Sequence, residues 1–488
     1  MDIRNLLIQH FQNCPRKPAI IFGDRVIDFL EIKDSSFRLA NYLLKAGFSE
    51  SDKAALYLSN TPDAVTSFLG VFSAGLTVVP LDFMLTQEEI IHFINHSEAK
   101  VLITQPKKGV DLEKIKNSCL GLKEIIVCKE EVSPFSYWGK VLESSCIDNP
   151  NSEINSGSLS SIFYTSGTTG HPKGVMLDYK HLSNPVKTIG HFLGVNENDV
   201  FLCGGVPFSH FGGLDYILLM IYFASTMILM ERFHPLEFLK SIERGKVTIF
   251  CIVPAMYIAI LSLKEYDKLD LSSLRYAVVF GAPSSPILLK RFNKACPNAK
   301  LSNGWGLTET AAPNCMLPPE LDKIESIGKF APGMEAKIVE GELWVKGEAV
   351  MRGYYKEEDL TKEVITEDGW FKTGDIARRD EQGLFYIIGR KKDMIKVAGE
   401  IVFPAEVEEK IQRHPQIEEA AVIGVADPLR GEVPKVFIVT NDKGRLEIQA
   451  LKEFLKEHIA HFKIPHHFEF VESLPKNRTG KVDKSKLK

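Results

Sequence analysis

The run from Thr165 to Gly174 reads Thr-Ser-Gly-Thr-Thr-Gly-His-Pro-Lys-Gly. Its three glycines let the backbone turn tightly and approach a ligand, Ser166, Thr168 and Thr169 offer hydroxyl donors, and Lys173 adds a positive charge. That is the chemistry of a phosphate cradle. The Walker pattern is excluded, because it needs Gly-Lys followed at once by Ser or Thr; here Pro172 precedes the lysine and Gly174 follows it. A second run, Asn303-Gly304-Trp305-Gly306-Leu307-Thr308-Glu309-Thr310, sets an aromatic face among glycines that permit close approach, then a hydroxyl and a carboxylate. Trp305 can stack on a purine, and Glu309 can hold a magnesium ion that bridges phosphates. Near the C-terminus, Pro475 and Gly480 frame a turn that presents Lys481.

These residues need elements to position them. Residues 161–164 and 174–177 are short, apolar and β-prone, which places the phosphate loop between two strands. Earlier, 37–46 and 63–74 carry helical patterns while 53–58 and 77–80 are strand-like, so residues 1–150 alternate as βαβ units of a layered α/β domain. No functional residue stands out in that stretch. Residues 248–253 and 276–280 are strand-like, and the second opens into Gly281-Ala282-Pro283, a strand end where ligands of open α/β sheets collect. Closely spaced strands at 336–339, 342–345 and 385–388 predict a small β subdomain. A basic run, Gly389-Arg390-Lys391-Lys392-Asp393, marks the clearest boundary, and helices at 406–413 and 448–458 follow it.

Length and composition set the frame. At 488 residues the chain predicts two or more units, each with its own core. A 44% hydrophobic and 25% charged composition is that of an ordinary soluble globular protein, and a net charge of -4 gives no electrostatic case for nucleic acid as a partner. The eight cysteines are scattered without metal-ligand spacing and read as reduced thiols of a cytoplasmic protein. The N-terminus lacks the pattern of a signal peptide. The most apolar stretch, 216–230, spans fifteen residues, which is too short for a membrane span. Asp215 closes one end of it, and a buried helix followed by a core strand is expected there.

The 165–174 run resembles the phosphate loop of the adenylate-forming superfamily, which comprises acyl-CoA synthetases, luciferases and the adenylation domains of peptide synthetases. The resemblance extends by motif over residues 160–488 and by pattern over the rest. It implies that Thr165, Ser166, Gly167, Thr168, Thr169, Gly170 and Lys173 hold ATP phosphates, with Thr165 and Glu309 on the magnesium ion. Gly281, Ala282, Pro283, Asn303, Trp305, Gly306 and Thr308 then form the nucleoside wall; the family's usual tyrosine is replaced by Trp305. Gly369-Trp370-Phe371-Lys372-Thr373-Gly374-Asp375 resembles the ribose-binding turn, with Asp375 accepting from the ribose hydroxyls and Arg390 assisting. Lys392 falls at the family's hinge, Lys396 and Gly399 in the loop that lines the pantetheine channel, and Lys481 in the catalytic-lysine motif.

The fold implied is a large layered α/β N-terminal domain, residues 1–389, with a small β subdomain, plus a smaller mobile α+β C-terminal domain, residues 390–488. The function implied is an ATP-dependent carboxylic acid:CoA ligase, an AMP-forming acid–thiol ligase using ATP, magnesium and CoA. His210, in Val206-Pro207-Phe208-Ser209-His210-Phe211, resembles the aromatic-rich turn ahead of the acyl pocket and is assigned with Lys481 and Glu309 to catalysis. Peptide-synthetase domains carry an Asp at this turn, and its absence here argues against amino acid substrates. The pocket candidates His210, Phe211, Tyr216, Gly281, Gly306 and Ala311 are apolar or small and favour a medium- or long-chain fatty acid over an aryl acid. Transfer to a carrier protein in trans, a luciferase-like oxidation suggested by Lys396, and a non-enzymatic nucleotide- or acyl-adenylate-binding paralogue are the alternatives. A homodimer stays open.

Overall fold

The computed structural model describes residues 2–165, 172–263, 268–281, 286–440, 446–476 and 481–487. Among them, four sheets account for the strands. One sheet of eight strands runs through Lys173–Asp178, Leu159–Thr165, Thr77–Pro80, Lys53–Tyr57 and Val101–Thr104, and a second of nine carries Lys300–Trp305, Tyr276–Val279, Ile249–Ile252, Val200–Cys203 and Thr226–Leu229 in that order. Their central strands are parallel and short, with side chains buried on both faces, as sheets covered by helices require.

The helices Phe29–Lys45, Pro62–Ser73 and Phe211–Phe223 share one apolar core with strands of both large sheets, Val78, Val101 and Phe163 on one side and Phe201, Ile249 and Val278 on the other. They are therefore the filling between the two sheets. The helix Pro62–Ser73 is buried along its whole length. Helices Gln87–Ser97 and Leu112–Ser118 cover the outer face of the eight-stranded sheet, and Pro235–Gly245 and Pro254–Leu261 cover that of the nine-stranded one. The expected helix at 37–46 is longer, Phe29–Lys45, because Asp28 caps it: its carboxylate accepts the Glu31 backbone N–H at 2.8 Å.

The expected β subdomain is a four-stranded antiparallel sheet, Met334–Val339, Glu342–Gly347, Phe371–Arg379 and Phe385–Arg390. A short 3-10 turn, Lys391–Asp393, leads from it to the last sheet, whose strands Ile395–Val397, Glu400–Val402, Ile417–Asp427, Gly431–Thr440 and His467–Phe470 pack on helices Pro404–Gln412 and Ile448–Lys456 around a core of their own. The fold is thus a large layered α/β unit followed by a smaller α+β one. All eight cysteines are free thiols, five of them buried. Among the described residues no helix is long and apolar enough to cross a membrane. The 216–230 stretch resolves into the end of the helix Phe211–Phe223 and the strand Thr226–Leu229.

Candidate active site

Two antiparallel neighbours, Asp375 and Arg390, face one another across the strands Phe371–Arg379 and Phe385–Arg390. The Arg390 Nε lies 2.7 Å from Asp375 Oδ1, and its Nη1 donates to the Thr373 carbonyl at 3.3 Å. The other carboxylate oxygen, Oδ2, accepts the Trp305 indole N–H at 2.9 Å. Asp375 is only 2% exposed. Burial pushes its carboxyl above the ordinary range, while Arg390, the Trp305 bond and Lys481 pull it back. Thr373 completes the turn by accepting the Asp375 backbone N–H at 3.0 Å, and Glu342 accepts the Gly374 N–H at 3.0 Å while pairing with Lys391 at 2.9 Å.

Trp305 ends the strand Lys300–Trp305 with its ring buried, edge-on to Phe330 at 5.7 Å. Its observed contact is therefore a hydrogen bond that aims the carboxylate of Asp375. Asn303 on the same strand is buried and donates to the Ile324 carbonyl at 3.3 Å; Gly306 follows the strand and leads to Thr308 and Glu309 in the turn Thr308–Thr310. That turn packs against the strand Lys173–Asp178. Tyr354 joins the two: its hydroxyl donates to Glu309 Oε1 at 3.0 Å, and Lys173 Nζ stands 5.3 Å from the centre of its ring. Burial and the nearby Glu309 both push the Tyr354 phenol up, so it remains a donor. Thr165 pairs with Lys173 at the loop end of the hairpin, so the ends of the expected phosphate loop meet near Glu309. Ser166, Gly167, Thr168, Thr169, Gly170, Ala282 and Pro283 lie outside the described residues.

Lys481 comes from the far end of the chain. Lys476 and Val482 form a β-bridge, and Asp483 N–H donates to the Pro475 carbonyl at 2.8 Å, which ties the chain on either side of it. The lysine stem then reaches the end of the strand Tyr276–Val279. Gly281 has φ +86° there, and a Cβ at that position would stand 3.7 Å from Lys481 Cε and 3.3 Å from Val253 Cγ1. Glycine is thus required by conformation and leaves the lysine a path. Lys481 is exposed, yet the protein packed around its ammonium lowers it below the usual range; Arg390 adds to that, and Asp375 and Glu309 oppose it. One cation from the C-terminal unit therefore shares its field with an arginine and two carboxylates of the N-terminal unit.

Gly399 and Lys396 do not join this cluster. They lie on the hairpin Ile395–Val397 and Glu400–Val402, exposed, where Ala398 (φ +50°) and Gly399 (φ +92°) form the turn. Its anchors run to the C-terminal unit: Lys396 N–H to Glu432 at 3.0 Å and Ala398 N–H to the Arg430 carbonyl at 2.8 Å. Lys392 is exposed in the 3-10 turn between the two units.

His210 stands at the head of the helix Phe211–Phe223, with its Nδ1 3.1 Å from Ser209 Oγ. Phe211 packs into the core, edge-on to Phe163 at 5.4 Å, and Ala311 is likewise fully buried. Tyr216 is buried too, its hydroxyl donating to the Cys251 carbonyl at 2.6 Å and accepting the Cys251 N–H at 2.9 Å. Asp215 does not close the end of an apolar segment. The helix begins at Phe211, so Asp215 lies inside it and is buried.

Three residues of the site were not singled out in the sequence: Tyr354, Phe330 and Thr373. Thr373 carried a local signal, since a Thr two residues before an Asp favours a side-chain turn. Tyr354 carried none, because it reaches Glu309 only through the pairing of Gly353–Tyr354 with the edge of the Lys173–Asp178 strand.

A family model described as AMP-binding enzyme matches residues 7–355, and one described as AMP-binding enzyme C-terminal domain matches 406–481. The chain belongs to the AMP-binding enzyme family. This is the adenylate-forming superfamily that the loop motif resembles, and the protein is an AMP-forming acid–thiol ligase. A 2-succinylbenzoate–CoA ligase of Bacillus licheniformis is 34% identical over 100% of both chains. A long-chain-fatty-acid–CoA ligase of Bacillus subtilis is 31% identical, covering 99% of this chain and 94% of the relative. Among solved structures, the anthranilate CoA ligase AuaEII in complex with anthranoyl-AMP superposes with a TM-score of 0.93 at 26% identity, covering 100% of this chain and 96% of that one. The layered α/β fold of this AMP-binding enzyme, with its smaller C-terminal unit, follows the same plan.

Proposed function

We propose that this AMP-binding enzyme joins a carboxylic acid to AMP at the Asp375–Glu309–Lys481 cluster and passes the acyl group to CoA. The observation that carries the reading is Lys481, held against Gly281 within the field of Asp375, Arg390 and Glu309. A carboxylate is a poor acyl donor, since oxide cannot leave. Attack of a carboxylate oxygen on the α-phosphorus of ATP, with the bond to the bridging oxygen breaking and pyrophosphate departing, converts it to an acyl-adenylate. Negative charge grows on the phosphate oxygens in that step, and a positioned cation stabilises it. Lysine, a compact charge on a flexible stem, suits a group that reaches in from another domain.

The remaining residues hold the nucleotide. Asp375, fixed by Arg390 and Trp305, accepts the ribose hydroxyls, and Lys173 with the 165–170 loop receives the β- and γ-phosphates. Among the described residues no cluster of three or more His, Cys, Asp or Glu side chains could cage a metal ion. A single half-buried carboxylate fits magnesium, which binds through one or two carboxylates plus substrate phosphates. Glu309, steadied by Tyr354, would hold that ion together with Thr165, and it would supply neutralisation of phosphate charge.

In the second step the CoA thiol attacks the adenylate carbonyl, loses its proton and expels AMP. The Lys396–Gly399 hairpin would line the thiol's approach, and residues 390–488 would turn about Lys392 to bring it in. The 3-10 turn Lys391–Asp393, which joins the four-stranded sheet ending at Arg390 to the last sheet, and an exposed Lys392 support that movement. An aryl acid is the favoured substrate, because the 2-succinylbenzoate and anthranilate relatives act on such acids. A medium- or long-chain fatty acid is the second reading, favoured by the apolar helix beside the site and by the Bacillus subtilis relative.

Mass spectrometry of acyl-CoA and AMP over a panel of aryl and aliphatic acids, with and without CoA, tests the proposal. Equimolar AMP and thioester from one acid class supports it. Adenylate that accumulates without CoA-driven release points to a carrier-protein acceptor, and no AMP from any acid moves the protein to the binding-paralogue reading.

A further inference from the structure

The strands Glu342–Gly347 and Phe371–Arg379 fall out of step at the turn that carries Asp375. Glu342 pairs with Ile376 and Trp344 with Lys372, so Thr373, Gly374 and Asp375 together face Leu343 alone and bulge from the sheet. A bulge leaves backbone groups without ladder partners, and here side chains take them. The Thr373 hydroxyl donates to the Leu343 carbonyl at 2.7 Å and accepts the Asp375 N–H at 3.0 Å. Gly374, at φ +70°, gives its N–H to Glu342 Oε1 at 3.0 Å.

A neutral acceptor is enough for a loose N–H, as the Thr373 hydroxyl shows. Glu342 instead brings a carboxylate that is 6% exposed, and a charge so buried needs a partner for each oxygen. The partner of Oε2 is the Lys391 ammonium, at 2.9 Å. Lys391 opens the turn Lys391–Asp393 between the two units and directly follows Arg390, whose Nε lies 2.7 Å from Asp375 Oδ1. The pair is made in the arrangement that sets Lys481 against Gly281. We propose that Glu342 is a positioning residue with one task per oxygen: Oε1 holds the bulge that presents Asp375 to the nucleotide, and Oε2, through Lys391, anchors the start of the linker in the orientation used for adenylation. The proposal rests on the acid:CoA ligase reading above.

The two tasks separate by substitution. The Oε1 bond is buried and made to a charged acceptor, so its loss strands the Gly374 N–H and lets the bulge relax, at a cost of about 10-fold in nucleotide affinity. The Lys391 side chain is 59% exposed, and solvent screening limits the Oε2 pair to about 2- to 5-fold in how often Lys481 is in place. Glutamine keeps an oxygen for Gly374 and loses the ion pair. Glu342→Gln therefore mimics removal of the lysine charge while the bulge stays closed.

Calorimetric titration with AMP reads the bulge and needs no acid. ATP–pyrophosphate exchange, and transfer from a prepared acyl-adenylate to CoA, read the linker; both are run with 2-succinylbenzoate, anthranilate, benzoate and octanoate. Glu342→Ala weakens AMP binding about 10-fold, whereas Glu342→Gln and Lys391→Met leave it unchanged. Those last two variants each lower exchange about 2- to 5-fold with transfer unchanged, the double variant falls no further, and Lys391→Arg restores the wild-type rate. AMP affinity that survives Glu342→Ala overturns the task given to Oε1. Losses that add in the double variant, or that fall equally on both half-reactions, overturn the task given to Oε2. Should Glu342→Ala fail to fold, Glu342→Leu fills the space without an acceptor and replaces it. No exchange by wild type with any of these acids overturns the ligase reading and the Oε2 task with it, and AMP binding then decides the Oε1 task alone.

Discussion

Replacing Trp305 by Phe removes one hydrogen bond and keeps an aromatic ring against Phe330. The lost bond is the indole N–H to Asp375 Oδ2 at 2.9 Å, made to a carboxylate that is 2% exposed. A hydrogen bond to a charged group contributes about 1.5–3 kcal/mol. It favours the ionised form, so its removal raises the Asp375 pKa by about 1–2 units at roughly 1.4 kcal/mol per unit. Burial already pushes this carboxyl up, and only Arg390 and Lys481 remain to oppose it. If ionised Asp375 accepts the ribose hydroxyls, the acid limb of kcat/KM for ATP in the ATP–pyrophosphate exchange moves to higher pH by the same 1–2 units. The smaller ring also leaves a cavity that lowers stability, but a cavity does not move a titration. An acid limb that stays in place in the folded Trp305→Phe enzyme would refute the role given to the indole.

Two other outcomes are expected. His181 is fully buried, its Nδ1 accepting the Asp178 N–H at 2.6 Å, and burial lowers its pKa from 6.5 to about 4. The unfolded chain then takes up the proton first, so the stability this group confers is present above pH 6.5 and is lost as pH falls from 6.5 towards 4, by up to about 1.4 kcal/mol per unit. Urea unfolding at pH 7.5 and 5 gives a smaller difference for His181→Asn than for wild type, and equal differences would contradict this. Lys392→Pro stiffens the turn Lys391–Asp393 and slows thioester formation more than adenylation in single-turnover assays; equal loss in both steps, with the fold intact, counts against the hinge.

The chemistry of this site was legible where it is local. Residues 303–310 and 369–375 bring their own turns, glycines and donors, so residue type and spacing alone point to their use, and strand segments such as 77–80 and 276–280 show as short apolar runs. Contacts made across the fold left no such trace. Trp305 and Asp375 are 70 residues apart, and their bond follows from two sheets meeting, which no spacing rule anticipates. The start of the helix Phe29–Lys45 was missed because its apolar first turn, Phe29, Leu30 and Ile32, is followed by the polar run Lys33-Asp34-Ser35-Ser36, which breaks the amphipathic pattern, although Asp28 is a good cap. Asp215 was read as the boundary of an apolar segment because charge normally ends one; that it lies inside a buried helix became visible only once both sheets had closed over it.

The most direct measurement separates the two half-reactions in Lys481→Ala. ATP–pyrophosphate exchange reads adenylation, and transfer from a chemically prepared acyl-adenylate to CoA reads the thioester step. Loss of a charge that stabilises the transition state costs about 10²–10³ in rate. Exchange should fall by that factor while transfer from the supplied adenylate stays close to wild type. Exchange that proceeds at the wild-type rate without Lys481 would contradict the assignment of adenylation to this lysine.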